Sequence, residues 1–204
     1  MESPVKRILS AALGCALLLC QSVKAEPVPL EQLQPDNPFP AVKLETSMGD
    51  IIIEMDRNRS PITVNNFLSY VAKGHYDNTI FHRIMPGFVV QGGGYTVDIK
   101  EKPVDEPIVN ESGNGLSNER MTVAMARMDD PHSATSQFYF NLDDNTKLDP
   151  SFRRWGYTVF GEVSEGEEVI DAMAAVRTGH NAKVGWDNFP LTTIMLKRAS
   201  IVPQ

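Results

Sequence analysis

Read as alternating apolar and polar positions, the chain divides into short β-prone runs separated by two stretches with helical spacing. In VKLETSMGDIIIEMD (42–56) two such runs flank SMGD, whose glycine suits a tight reversal, so a hairpin is expected. Further strand-like runs lie at 79–85, 87–91, 121–127, 136–142, 156–163 and 192–202. The segment SPITVNNFLSYVAKGHY (60–76) differs: Val64, Phe67, Leu68 and Val71 fall on one stripe of a helix. Ser60 can cap that helix, Pro61 suits its first position and Gly74 can end it. A second helix is expected at 164–176, where Ser164 and Glu167 have capping-box spacing and Val169, Ile170, Met173 and Val176 form the stripe. Many short strands with two isolated amphipathic helices predict a mainly β chain, a closed or nearly closed antiparallel barrel with helices over its open ends.

The N-terminal region departs from this pattern. Lys6 and Arg7 precede the apolar run ILSAALGCALLLC (8–20), and VKA (23–25) offers small residues for a cut after Ala25. This is the layout of a signal peptide over 1–25, and the run is too short to span a bilayer. Residues 26–41 carry five prolines and are expected to form an extended linker into a domain covering 42–204. Export would leave 16 Lys+Arg against 25 Asp+Glu, a net charge of −9. Such a balance argues against nucleic-acid or anionic-membrane partners, which demand a basic face. Cys15 and Cys20, the only cysteines, both lie in the leader, so the mature chain is expected to have neither disulfides nor thiol chemistry.

Common catalytic patterns are missing. His75, His82, His132 and His180 show no H-E-x-x-H or i,i+4 spacing, and DDNTK (143–147) lacks the residues of a calcium loop. His82 reads as a packed, hydrogen-bonded structural histidine. The run QGGG is neither a phosphate loop nor a dinucleotide fingerprint, and no G-x-S-x-G elbow occurs. Neither metal nor cofactor is expected.

What remains is polar residues inside apolar strands. FHRIMPGFVVQGGG (81–94) carries Arg83 and Gln91, and charged side chains are rarely buried unless paired. Strand periodicity puts Phe81, Arg83 and Met85 on one face; beyond the Pro86–Gly87 bend, Phe88 and Val90 oppose Val89 and Gln91. The glycines at 92–94 allow close backbone approach and a sharp exit. In SQFYF (136–140), Gln137 and Tyr139 share a face opposite Phe138 and Phe140. On these grounds alone Arg83 fits a strand-edge salt bridge as well as a presented cation.

FHRIMPGFVVQGGG resembles the signature of the cyclophilin-type peptidyl-prolyl cis-trans isomerases. TVAMAR and SATSQFYF (122–140), Leu148–Asp149 and YTVFGEV (157–163) follow in that family's order. The resemblance implies an eight-stranded antiparallel barrel closed by two helices, with an outer groove for X-Pro segments. It implies Arg83 as the catalytic cation and Gln91 as a group that orients the substrate backbone. Phe88, Val89, Tyr139 and Leu148 would receive the proline ring, Ala126, Arg127 and Gln137 would line the adjoining peptide groove, and Tyr157 falls where many members have a pocket histidine. The partners would be unfolded or partly folded proteins, the compartment the periplasm and the state monomeric; the alternative is a non-catalytic chaperone or proline-peptide module.

Several positions depart from the best-known eukaryotic members. Val89 replaces a methionine, Gly94 stands where an acid is common, and Lys147 replaces a tryptophan that donates to cyclosporin; Trp155 need not substitute for it. Tyr157 for histidine and Arg127 for asparagine resemble the bacterial exported branch. The expected outcome is weak inhibition by cyclosporin in an isomerase titration, and nanomolar inhibition would refute it.

Overall fold

The computed structural model describes residues 28–203, so the leader and the first residues of the linker lie outside the described residues. Ten strands and two α-helices follow in chain order: β1 (Ala41–Thr46), β2 (Asp50–Met55), α1 (Pro61–Ala72), β3 (Thr79–Met85), β4 (Val89–Thr96), β5 (Thr122–Met125), β6 (Phe138–Asn141), β7 (Val159–Glu165), α2 (Glu167–Ala174), β8 (Thr178–Asn181), β9 (Trp186–Pro190) and β10 (Ile194–Ile201). Eight of the strands pair antiparallel in the order β1-β10-β3-β4-β6-β5-β7-β2 and close back on β1. The predicted barrel with two helices is present and fully closed.

Alternation builds its interior. Val42 and Leu44 of β1, Ile51, Ile53 and Met55 of β2, and Phe81, Val90, Phe138, Phe140 and Phe160 all turn inward and are fully buried. Helix α1 adds the predicted stripe: Phe67 lies 5.4 Å from Phe138 and 5.1 Å from Phe160, ring centre to ring centre. Gly74 ends α1 in a Schellman turn, its N–H donating to Val71 C=O and that of His75 to Tyr70 C=O. At the other end Ser60 holds the capping position but its hydroxyl donates to the Val159 carbonyl. The first amides of α1 donate instead to Glu111, at 3.1 Å from Ile62 N and 2.8 Å from Thr63 N. A carboxylate there also meets the positive end of the helix dipole.

Three further expectations need correction. No Ser164–Glu167 capping box forms: β7 runs through Glu165, Ser164 donates to Ile52 C=O, and α2 starts after Gly166. Strand pairing absorbed the residues a shorter β7 would have left to the helix, although Val169, Ile170 and Met173 are buried as expected. The glycines at 92–94 do not end their strand, because β4 continues to Thr96. The proline-rich segment is also not extended throughout. It forms a 3-10 turn at Leu30–Leu33, buries Leu33, and is tied down where the Arg57 guanidinium donates to the carbonyls of Leu33, Gln34 and Asn37.

The pairing of β8 with β9 into a separate two-stranded hairpin lacked a sequence signal, since Thr178–Asn181 has no apolar alternation. The hairpin stands against β3 and brings Trp186 within 5.7 Å of the His82 ring. Among the described residues, no helix is long and apolar enough to cross a membrane.

Candidate active site

The strand pair β3–β4 is irregular where the sequence drew attention. Phe81 pairs with Gly92 but Arg83 pairs with Gln91, so β3 carries one extra residue, His82. This bulge changes the simple alternation: Phe81 enters the core, whereas Arg83 and Met85 face outward beside Gln91 and Val89. Arg83 is half-buried. Its Nη1 donates to Gln91 Oε1 at 3.2 Å and its Nη2 contacts Met85 Sδ at 2.8 Å. Gln91 Nε2 donates in turn to Gln137 Oε1 at 2.9 Å, so two side-chain amides hold the guanidinium in place. Among the described residues no carboxylate lies within 4.0 Å of it, which removes the salt-bridge reading.

The guanidinium borders a cavity of about 250 Å³ lined also by Phe88, Val89, Gln91, Ala126, Arg127, Tyr139, Leu148 and Tyr157. Gln137 lines the neighbouring cavity, so all the expected site residues meet in one region. The apolar wall is a second hydrophobic cluster outside the barrel, with Val89, Ala124, Tyr139 and Val159 buried and Phe88, Leu116, Ala126, Leu148 and Tyr157 packed on it. Strand periodicity explains it: Val90, Phe138 and Phe140 point inward while their neighbours Val89 and Tyr139 point out. Phe88 belongs with Val89, not with Val90 as strand alternation suggested, because it precedes β4 in a turn.

Buried polar contacts fix these walls. Tyr139 Oη donates to Asn118 Oδ1 at 2.8 Å, and the Asn118 amides donate to Asp149 Oδ1, beside Leu148. Burial holds the Tyr139 phenol well above its usual range, so it remains a neutral donor. Asn145 Nδ2 donates to the Phe88 carbonyl at 2.8 Å. Arg127 sits 4.5 Å from the Tyr157 ring centre and donates to the carbonyls of Gly156 and Trp155. Asn118 and Asn145 went unnoticed in the sequence because lone asparagines in loops read as turn residues.

The family model described as cyclophilin type peptidyl-prolyl cis-trans isomerase/CLD matches residues 41–200. The peptidyl-prolyl cis-trans isomerase cyp18 of Streptomyces antibioticus is 47% identical over 164 residues, covering 79% of this chain and 98% of that protein. Peptidyl-prolyl cis-trans isomerase B of Escherichia coli is 48% identical over 143 residues, covering 69% of this chain and 87% of that one. The chain belongs to the cyclophilin-type peptidyl-prolyl cis-trans isomerases. A solved cyclophilin from Cryptosporidium parvum shares the fold, with a TM-score of 0.66 at 24% identity over 81% of this chain and 99% of that chain.

Within the cyclophilin frame, the departures have visible surroundings. A Cβ on Gly94 would lie 2.7 Å from Gln137 Cγ, so glycine leaves the space that Gln137 occupies while it accepts from Gln91. Gly93, at φ +87°, lets the Phe138 ring pack against the strand backbone. Lys147 is exposed, and Trp155 stacks edge-on against His132, 5.2 Å away and outside the lining of the small cavity.

Beyond Arg83 the groove widens into a second cavity of about 500 Å³. It is walled in part by Tyr95, Glu101 and the β8–β9 hairpin residues Trp186 and Asp187, none anticipated from sequence. His82 lies at its floor, buried as expected and packed 4.8 Å from Tyr95. Among the described residues its Nδ1 has no partner, so the expected hydrogen bond is missing at that nitrogen. Burial pushes the values of both His82 and His75 down to about 4. The fold refuses protons that the unfolded chain accepts, so this stability is complete above pH 6.5 and is lost as pH falls toward 4. For the more deeply buried His82 the loss should reach the order of 3 kcal/mol, and for His75 less. Urea unfolding should show a falling midpoint across that window, shallower in His82→Phe; a flat wild-type profile would contradict the assignment.

Proposed function

We propose that this isomerase accelerates X-Pro rotation through Arg83 acting on the twisted amide, in the folding of exported proteins. An X-Pro bond resists rotation because the nitrogen lone pair is delocalised into the carbonyl, a barrier of about 18–20 kcal/mol. Uncatalysed exchange takes tens to hundreds of seconds, slow enough to limit folding. At the half-rotated state the nitrogen is pyramidal and its lone pair is localised. A guanidinium aimed at that nitrogen then forms a hydrogen bond the planar amide cannot offer, and an interaction stronger in the transition state than in the ground state accelerates the step.

Each groove residue has a part in this reading. The cluster around Phe88, Val89, Tyr139, Leu148 and Tyr157 takes the proline ring, whose burial contributes on the order of 1.5–3 kcal/mol. Gln91 holds Arg83 and offers its amide to the peptide backbone. Ala126, Arg127 and Gln137 border the chain on either side of the bond. Arginine suits the role because it stays charged and presents its donors in a rigid fork. The carrying observation is that Arg83 is restrained by Gln91, and free of carboxylates among the described residues, at the edge of the apolar groove.

The N-terminal pattern supports the cellular setting: a basic start, a short apolar run and small residues before Glu26. Together with bacterial relatives it supports action in the periplasm on unfolded or partly folded chains, without membrane insertion after cleavage, and a closed barrel with few free edges favours a monomer. The test is isomerisation of a short Ala-Pro peptide by wild type and Arg83→Ala. The variant should lose at least about 100-fold in kcat/KM, comparable to losing one preorganised donor, while its unfolding midpoint stays within error. An unchanged rate would reject the mechanism, and a wild type that binds the peptide without turnover would favour a holdase.

A further inference from the structure

We propose that the larger cavity selects chains carrying a lysine or arginine near the proline, with the β8–β9 hairpin supplying part of the selectivity. The inference rests on the groove being the proline site. The two cavities share Arg83, Gln91, Ala126 and Arg127, which therefore mark the near end of the larger one. Among the residues that line the larger cavity alone, His82, Tyr95, Glu101, Gly185, Trp186 and Asp187 form the end beside β3, β4 and the hairpin, here called the far end.

The two ends differ in charge. At the near end both cations are engaged, Arg83 with Gln91 and Met85, and Arg127 with backbone carbonyls and the Tyr157 ring. At the far end the formal charges are the carboxylates of Glu101 and Asp187. Glu101 has no basic group within 4.0 Å among the described residues, and Asp187 bonds His180 through Oδ1, leaving Oδ2 open. The next basic residue along from Glu101, Lys102, is turned to the Asp77 carbonyl. His82 adds no competing charge near neutrality, because burial keeps it unprotonated there.

The same end is also aromatic. Trp186 packs 4.7 Å from Tyr95, and both flank His82. A lysine or arginine fits this arrangement throughout its length. Its methylene stem covers the aromatic surface while its head reaches the carboxylates, and the ring faces attract the cation as well. A glutamate would bring a third negative charge to the same end. A short apolar side chain would leave the far end unfilled.

The experiment uses peptides around one Ala-Pro bond, with Ala, Leu, Glu, Lys or Arg placed in turn at the positions flanking the Ala-Pro pair. Rates and dissociation constants are measured at low and high salt. At one position Lys and Arg should exceed Glu by about five- to tenfold in kcat/KM, and salt should compress the ratio. In the double variant Glu101→Gln/Asp187→Asn the ratio should fall below about twofold while the all-alanine peptide keeps its rate. Equal rates for Lys and Glu peptides, or a preference that survives in the double variant, overturn the proposal. Should no peptide be isomerised while Lys peptides still bind more tightly through Glu101 and Asp187, the catalytic reading fails and the selectivity stands. Binding without turnover and without preference removes both.

Discussion

The site depends on how one guanidinium is held. Arg83 would be a mobile, solvated cation if nothing restrained it, and a mobile cation gains little from a transient change at one nitrogen. Gln91 accepts from it and donates to Gln137, so the cation is positioned before any peptide arrives. Because its partners are the neutral Gln91 amide and the Met85 thioether, Arg83 keeps its charge uncompensated, which a carboxylate partner would not permit. The bulge at His82 is what turns Arg83 toward Gln91 instead of leaving it in phase with the core residue Phe81.

The same strands perform two packing tasks. Inward residues of β4, β5 and β6 fill the barrel, and the residues between them form the outer cluster that faces the groove. Burying both faces makes the wall rigid, and Tyr139, Asn118 and Asp149 extend that rigidity into the loop carrying Leu148. A proline slot built in this way needs little reorganisation on binding, which lowers the entropic cost of holding a flexible chain.

Much of this was legible in the sequence. The strands and the stripe of α1 followed from apolar spacing, since barrel closure imposes the same alternation that the pattern displays. Tyr139 could be placed opposite Phe138 and Phe140 because β6 is regular. Phe81 and Arg83 could not be separated, because a bulge leaves no mark on hydrophobic periodicity. The capping pattern at Ser164 was also misleading: an S-x-x-E spacing is local, whereas the pairing of β7 with β2 that consumed Ser164 is not. Trp186 was invisible for a related reason, since its hairpin is held by aromatic contacts with His82 and Tyr95, remote in sequence. The family resemblance supplied the roles of Phe88 and Leu148, which packing arguments alone would have assigned to the core.

The most direct test of the central claim separates ground-state binding from turnover. NMR exchange spectroscopy on one Ala-Pro peptide yields the affinity for the planar peptide and the on-enzyme interconversion rate, for wild type and for Arg83→Ala. The account predicts an affinity changed by less than about threefold and an interconversion rate lowered by about 100-fold or more, the mark of an interaction made only at the twisted state. A loss of affinity as large as the loss of rate would mean that Arg83 merely binds the peptide, and would contradict the account.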